Sequence, residues 1–274
     1  MPTVPRPQVT SLHYGGKLMN KAYTFAKRNL TETLRDTLSY IFCLGFPIIM
    51  LIIMTLVNKS IPAEAEMTIF RIDNLAGGII IFGQTFLMLF TAITVAKDRS
   101  GSFLIRMFAT PMNAGDFIVG YILPMLLLSV CQALISFAAA FIISLIDDFS
   151  LNVFALLTAT VTSIPSALFF ISIGLLFGSL FNDKAAPGLC SIIISLGSFL
   201  GCIWFDAEST GGIMLRICKC LPFMYCTKSV RSAIALDFSA DSFIFPLLIV
   251  SASALVIALL SALAFKSRMK ADLS

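Results

Sequence analysis

The stretch NLAGGIIIFGQTFLMLFTAITVA, residues 74–96, runs for 23 residues without an Asp, Glu, Lys or Arg. A helix rises about 1.5 Å per residue, so roughly 20 apolar residues cross about 30 Å of hydrocarbon. One such run could be a buried helix of a soluble protein, but the chain has six of them. They predict an all-α membrane protein whose transmembrane domain, 37–266, has six spans at about 37–58, 75–96, 117–146, 151–181, 186–205 and 242–265.

The amino-acid composition is typical of a membrane protein. Of the 274 residues, 58% are hydrophobic and 12% are charged, about half the charged fraction of a soluble domain. The formal net charge of +4 is too small to indicate nucleic-acid binding, so none is expected.

The distribution of Lys and Arg predicts the orientation. With the N-terminus placed in the cytosol, thirteen of the 19 basic residues fall on the inner side and six on the outer side. The positive-inside rule therefore favours a multi-pass protein of the cell membrane with both termini cytosolic. The polar, basic first 36 residues lack a signal-peptide pattern, so we expect the first span to serve as the insertion signal.

Some segments that flank the spans are predicted to be disordered and others to be helical. Residues 1–16 are expected to be a disordered lead-in and 267–274 a cytosolic tail. Residues 17–36 are predicted to form an amphipathic helix in the interfacial layer, with basic residues toward anionic lipid. A solvated helix is the alternative. The expected apolar stripe is Leu18, Ala22, Phe25, Leu30 and Leu34, and the expected polar faces carry Lys21, Thr24, Lys27, Arg28, Thr31 and Arg35.

Segment 206–241 is too charged to span the membrane and too apolar for a plain loop. We predict an outer re-entrant hairpin of two short helices divided by Pro222. Cys218, Cys220 and Cys226 cluster in it, and one disulfide among them is plausible on an oxidising face. A metal site is a weak alternative, because three thiols without a fourth ligand are poor zinc spacing.

Several predicted spans contain a proline or a pair of glycines. Pro165 is expected to kink or break the fourth helix. The pairs Gly174/Gly178 and Gly197/Gly201 would let helices approach a neighbour closely, within the chain or across a dimer.

Several kinds of chemistry are missing from the sequence. It has no GxxxxGK[ST] phosphate loop, no HExxH, no GxSxG and one histidine, His13. The six apolar runs also lack the ionisable groups that ion-coupled carriers usually keep in the membrane. We therefore expect no bound cofactor and no catalytic residues.

The loop after the second span is the most informative. It opens on a charged turn, Lys97 to Gly101, and continues into an apolar and basic stretch that Pro111 ends. A short helix on the cytosolic face that displays large apolar side chains is a docking surface. A helix that merely rests on the membrane is the alternative.

This loop resembles the coupling-helix region of type-2 ABC transporter permeases. The residues that carry the likeness are Asp98, Arg99, Gly101, Phe103, Leu104, Arg106, Thr110 and Pro111, with Gly120 opening the third span. The family's outer segment before the last helix is similar at Leu221, Pro222 and Arg231. Many members have Glu-Arg-Glu and Gly-Thr where this chain has Lys97, Arg99 and Ser102.

The resemblance implies a permease subunit of an ATP-driven exporter for drug-, lipid- or peptide-like cargo. A separate ABC ATPase, holding ATP and Mg, would dock on the coupling helix, and a second copy or homologue of the permease would complete the pathway for a hydrophobic or amphipathic substrate. The ATPase-coupling residues would be Asp98, Arg99, Gly101, Phe103, Leu104, Arg106, Met107, Phe108 and Pro111; those of the outer hairpin would be Pro222, Tyr225 and Arg231. The alternatives are an ion-coupled secondary transporter and a non-transporting membrane scaffold or sensor.

Overall fold

A computed structural model of the chain describes residues 14–62, 68–101, 103, 112–147 and 149–271. Every regular element within these ranges is a helix. In chain order the longer helices are α1 (Tyr14–Arg35), α2 (Thr37–Ser60), α3 (Ile72–Ser100), α4 (Ala114–Ile146), α5 (Val153–Leu180), α6 (Ala185–Leu200), α7 (Gly212–Cys220), α8 (Pro222–Ile234) and α9 (Phe245–Ala271). A short helix, Ala207–Thr210, precedes α7, and a π-helical turn, Ala240–Ile244, precedes α9.

Among the described residues, five helices are long and apolar enough to cross a membrane: α2, α3, α4, α5 and the stretch Ala240–Arg268 that contains most of α9. The helix at the predicted span 186–205 is α6, which has only 16 residues. At about 1.5 Å per residue it falls short of roughly 30 Å of hydrocarbon. The count of six spans is therefore not confirmed.

Helix α3 is the centre of the bundle. Most of its length is buried, and it packs against α5, α6, α4, α8 and α2. The core that surrounds it includes Leu75, Ile79, Ile80, Leu87 and Met88, none of them more than 1% exposed. The charge-free run 74–96 within it, which predicts a span, also suits a helix enclosed by other helices.

Three helical stretches depart from regular geometry close to a proline, and one of them is the π-helical turn Ala240–Ile244, two residues before Pro246. Helix α5 is interrupted at Ser163, two residues before Pro165. A neighbouring helix stabilises the break, because the side-chain amide of Gln84 in α3 donates to the Ser163 carbonyl at 3.1 Å. Helix α2 contains a π-helical turn, Ile41–Gly45, just before Pro47.

The small residues of α5 contact α3 of the same chain. A Cβ added at Gly178 would lie 2.7 Å from the Ala92 carbonyl oxygen, and one at Gly174 would meet the Met88 carbonyl. Glycine is needed here because only its missing side chain lets the two backbones approach so closely. The second pair differs, since a Cβ at Gly197 would make ordinary contact with the ring of Phe223, 3.5 Å away.

We expect Gly178→Ala to lower the free energy of unfolding by about 1–3 kcal/mol, because an overpacked site must push rigid backbones apart. Thermal unfolding in detergent micelles would measure the loss. Gly188→Ala is the matched control, since its added Cβ has nothing within 4 Å. Equal melting temperatures for the two variants would contradict the close packing of α3 on α5.

The end segments differ in detail from the sequence prediction. Helix α1 begins at Tyr14, inside the predicted lead-in 1–16, and α9 continues to Ala271, inside the predicted tail 267–274. The charged turn expected at Lys97–Gly101 is wrong in its geometry. Residues through Ser100 are the last turn of α3, and the Gly101 amide donates back to the Lys97 carbonyl at 2.9 Å.

Candidate functional site

The predicted coupling segment is described only at its beginning. Asp98, Arg99, Gly101 and Phe103 have positions in the structure. The other predicted coupling residues, Leu104, Arg106, Met107, Phe108 and Pro111, together with Thr110, lie outside the described residues. The candidate site is therefore built from the end of α3 and from the elements that hold it.

Asp98 points into the protein. The residue is 8% exposed, and its carboxylate accepts two hydrogen bonds from the Arg28 guanidinium, at 2.9 and 3.2 Å. It accepts a third from the Tyr121 hydroxyl at 2.8 Å. A carboxylate at a helix end is costly to bury unless it is paired and hydrogen-bonded, and both conditions are met here.

Arg28 joins this carboxylate to α1. It also forms an ion pair with Glu32, at 2.7 Å, one turn along the same helix. Burial alone would lower the pKa of Arg28, but the Asp98 and Glu32 carboxylates raise it, and the net direction is upward. The guanidinium therefore stays charged and bridges the last turn of α3 to the N-terminal helix.

Aromatic rings complete the junction between α1 and the coupling segment. The ring of Phe103 stacks on that of Phe25 with centroids 6.4 Å apart, and the Arg28 guanidinium carbon lies 3.9 Å from the centre of the Phe103 ring. Phe25 also meets Phe117 and Tyr121 of α4 edge-on. We call the group Phe25, Arg28, Asp98, Phe103 and Tyr121 the anchor cluster; it couples the start of the loop to α1, α3 and α4 at once.

The predicted faces of α1 require correction. Arg28 is turned toward Asp98 instead of toward lipid, and Leu34 is 43% exposed. The buried face consists of Phe25, Ala26, Asn29 and Thr33. Asn29 is buried because its amide donates to the Gly120 carbonyl of α4 at 3.0 Å.

Arg99 fastens the other side of the same helix end. Its guanidinium donates to the carbonyl oxygens of Gly178 and Phe181 at the end of α5, at 3.2 and 3.3 Å. Cationic donors at a helix C-terminus satisfy carbonyls that the helix itself leaves open. The two charged residues that follow Lys97 thus tie α3 to α1 and to α5.

Two cavities flank the anchor cluster. One of about 420 Å³ lies between α1, α2 and α3 and is lined by charged groups that include Arg35, Asp36 and Lys97. The other, of about 500 Å³, is apolar and lies between α1, α4 and α5, beside Leu30, Pro124 and Leu127. Helix α1 is therefore held at the anchor cluster and has space on both sides of it.

The opposite end of the bundle is organised around Arg231 of α8. Its guanidinium group donates to three carbonyl oxygens: Asn74 at 2.9 Å, Cys202 at 3.0 Å and Ile203 at 3.4 Å. Gly77 and Gly78 of α3 make room for the side chain. Burial lowers the pKa of Arg231 to about 10, so the group remains charged at neutral pH.

The two other predicted hairpin residues shape the turn between α7 and α8. Leu221 has an extended backbone between the two helices, and Pro222 is the first residue of α8. The Tyr225 hydroxyl donates to the Lys219 carbonyl at 3.1 Å and closes the turn. Pro222 and Tyr225 thus lie at the turn between α7 and α8, whereas the Arg231 side chain points into the helix bundle.

The outer cysteines do not face one another in the described structure, where all seven thiols are free. Cys218 is buried beside Cys202, Cys226 belongs to the main core, and Cys220 is exposed. A disulfide among the three stays a prediction that this arrangement does not favour. No group of three or more potential metal ligands occurs among the described residues.

Sequence reasoning missed Phe25 as a partner of Phe103, and it missed Arg28, Asn29 and Tyr121 as members of the site. A signal for Arg28 was present, because a carboxylate at the end of a buried helix needs a basic partner. The choice among six N-terminal basic residues required the tertiary structure. Tyr121 carried no signal, since a tyrosine near a span end is ordinary at a membrane interface.

These features define a helical membrane protein with the anchor cluster at one end and an arginine-centred hairpin at the other. The family model of the ABC-2 type transporter matches residues 20–235 of the chain. The chain belongs to this family, whose members are the membrane permeases of ABC transporters. No curated protein matches the chain closely.

Proposed function

We propose that this chain is the permease subunit of an ATP-driven ABC exporter, coupled to a separate ATPase and forming its substrate pathway as a dimer. The observation that carries the proposal is the family match over 216 of the 274 residues, from 20 to 235. In this assignment the ATPase subunit binds ATP and Mg, and the present chain provides none of the hydrolytic groups.

The anchor cluster gives the proposal a physical route for coupling. A partner that moves the loop after Phe103 displaces Arg28 and Phe25, because both side chains contact the Phe103 ring. The motion then reaches α3 through Asp98 and α4 through Tyr121. Coupling of this kind requires that the ATPase favour one arrangement of these helices over another.

The contacts also support a common side for both termini. Phe265, near the end of α9, packs on Phe117 and Tyr121 beside the N-terminal helix. At the other end, Lys59 in the last turn of α2 pairs with Asp147 after α4 at 2.6 Å. Together with the excess of basic residues near the anchor cluster, this favours a cytosolic location for that end and an outer location for Arg231.

Aromatic side chains favour an apolar or amphipathic cargo. A continuous series of rings, with neighbouring centroids 5.2–5.7 Å apart, runs between α2, α3 and the end of α6. Its members are Phe42, Phe46, Phe82, Phe86 and Trp204. Phe42 is 37% exposed, so the series reaches the surface at which a second permease chain or lipid would lie.

Docking is tested by co-purification of the permease with the ABC ATPase that it is proposed to bind. We expect Phe103→Asp and Arg106→Glu each to reduce the recovered ATPase at least tenfold. The first removes the ring that holds the start of the loop on Phe25 and Arg28, and the second reverses a charge in the docking segment. Ile213→Asp is the matched control, since Ile213 is an apolar residue, 76% exposed, on α7 at the other end of the bundle. Normal recovery with both loop variants would reject the docking assignment, and loss with Ile213→Asp would reject the orientation.

A further inference from the structure

Two buried thiols meet where α6 ends and α7 passes. Cys202 is 6% exposed and Cys218 is fully buried. They share a small cluster with Ala207 and Met224 that is separate from the main core. Both residues belong to this cluster although they lie 16 positions apart in the sequence, and the Cys202 thiol also donates to the Leu200 carbonyl oxygen at 3.8 Å.

The backbone at Cys202 has a strained conformation that hydrogen bonds hold in place. Its φ is +55°, in the left-handed region that glycine occupies at most helix ends of this type. The Cys202 amide donates to Phe199 at 3.1 Å, and its carbonyl accepts from Arg231 at 3.0 Å. A non-glycine residue kept in such a conformation by surrounding bonds is a reason to look for a role of its side chain.

Cys202 is also reachable from outside the cluster. It lines a cavity of about 230 Å³ at the Arg231 end of the bundle, together with Thr68, Asn74 and Asp206. The other cysteines of the outer segment have different surroundings, since Cys220 is exposed and Cys226 is enclosed in the main core. Among the described cysteines, the geometry therefore singles out one pair.

We propose that Cys202 and Cys218 are a dithiol site that undergoes thiol–disulfide exchange, with a small-molecule or protein disulfide as the oxidant. The Cys202 thiolate attacks one sulfur of the oxidant, forms a mixed disulfide and releases one thiolate. The Cys218 thiolate then attacks the Cys202 sulfur and releases the second. Two protein thiols and one oxidant disulfide give one protein disulfide and two reduced thiols, and the oxidant takes up the two electrons.

The product would join the end of α6 to α7. Such a crosslink closes a short loop and limits the movement of α7 relative to α6. Arg231 of α8 donates hydrogen bonds to the carbonyl oxygens of Asn74 in α3 and of Cys202 after α6. A crosslink at Cys202 would therefore connect α7 to the place where α3, α6 and α8 are already joined. The site thus provides a covalent lock for the hairpin.

The test uses the full-length chain, purified in detergent and treated with oxidised glutathione. Free thiols are blocked with N-ethylmaleimide, protected thiols are then reduced, and these are labelled with a polyethylene-glycol maleimide. We expect a gel shift of two labels, and peptide mass mapping of the unmutated chain should find Cys202 linked to Cys218. Cys202→Ser and Cys218→Ser should each lower the shift below two labels, while Cys220→Ser and Cys226→Ser should leave it unchanged.

The outcomes are distinguishable from those of the docking experiment. Protection of two thiols that is lost in Cys220→Ser or Cys226→Ser would overturn the dithiol site, and so would a peptide map without the Cys202–Cys218 link. Labelling of Cys220 by a membrane-impermeant maleimide in intact cells reports the orientation independently. The Cys202–Cys218 disulfide can therefore be detected even if the proposed orientation is wrong. A correct orientation can likewise be detected even if the disulfide does not form.

Discussion

Replacement of Asp98 by alanine is expected to lower the free energy of unfolding by about 3 kcal/mol and to weaken coupling to the ATPase. Three hydrogen bonds end on this carboxylate, and its removal leaves the Arg28 guanidinium without its buried counter-charge. Breaking one partner of a buried pair typically costs about 3–5 kcal/mol. We place the loss at the lower limit because Glu32 still faces Arg28.

Thermal unfolding in micelles measures the loss of stability, and ATPase stimulation by reconstituted permease measures the loss of coupling. Asp183→Ala is the matched control, since Asp183 is an exposed carboxylate in the loop between α5 and α6. Tyr121→Phe should cost about 1 kcal/mol alone, the value of one hydrogen bond. It should cost less in the Asp98→Ala background, because the acceptor is already gone. Full additivity of the two changes would contradict the cluster.

The second large effect is expected for Arg231→Met, which keeps most of the apolar stem and removes three donors to carbonyl oxygens. The carbonyls of Asn74, Cys202 and Ile203 would be left without this partner. Each hydrogen bond to a charged group contributes about 1.5–3 kcal/mol. Because the three bonds share one guanidinium, their contributions do not simply add, and we expect the free energy of unfolding to fall by about 3 kcal/mol.

Arg231→Lys should rescue little of this stability, because one ammonium group cannot reach three carbonyls in the geometry of the planar guanidinium. Lys228→Met, on the same helix, is the control. Its exposed ion pair with Glu208 should contribute less than about 1 kcal/mol. Chemical unfolding followed by tryptophan fluorescence suits this experiment, because the single Trp204 lies next to Ile203. Equal stability of Arg231→Met and Lys228→Met would show that Arg231 does not join the helices.

The helical, membrane-spanning character of the chain could be predicted from its sequence, because charge-free apolar runs of about 20 residues or more are typical of membrane helices. The helix break before Pro165 could also be predicted, since proline removes a backbone donor. The length of α6 could not be predicted in the same way. Apolar residues continue past Leu200, but Cys202 takes a left-handed conformation and the helix ends.

The candidate site was predictable only in part, for a physical reason. The sequence places Asp98 in a charged segment and Phe103 in an apolar stretch after the second span, but it does not say whether their side chains face a partner or their own chain. Contacts with Arg28 and Phe25, 70 or more positions away in sequence, decide that question. The same holds for Gly174 and Gly178, whose spacing indicates a close neighbour without identifying α3.

The central claim is that the loop after Phe103 docks on an ABC ATPase at the end of the bundle that holds the anchor cluster. Site-specific photo-crosslinking in native membranes tests it most directly, with a photoreactive amino acid introduced at Met107 or, for comparison, at Ile213. We expect a crosslink to the ATPase from position 107 and none from position 213. A crosslink from position 213, or its absence from position 107 in a complex that still hydrolyses ATP, would contradict the claim.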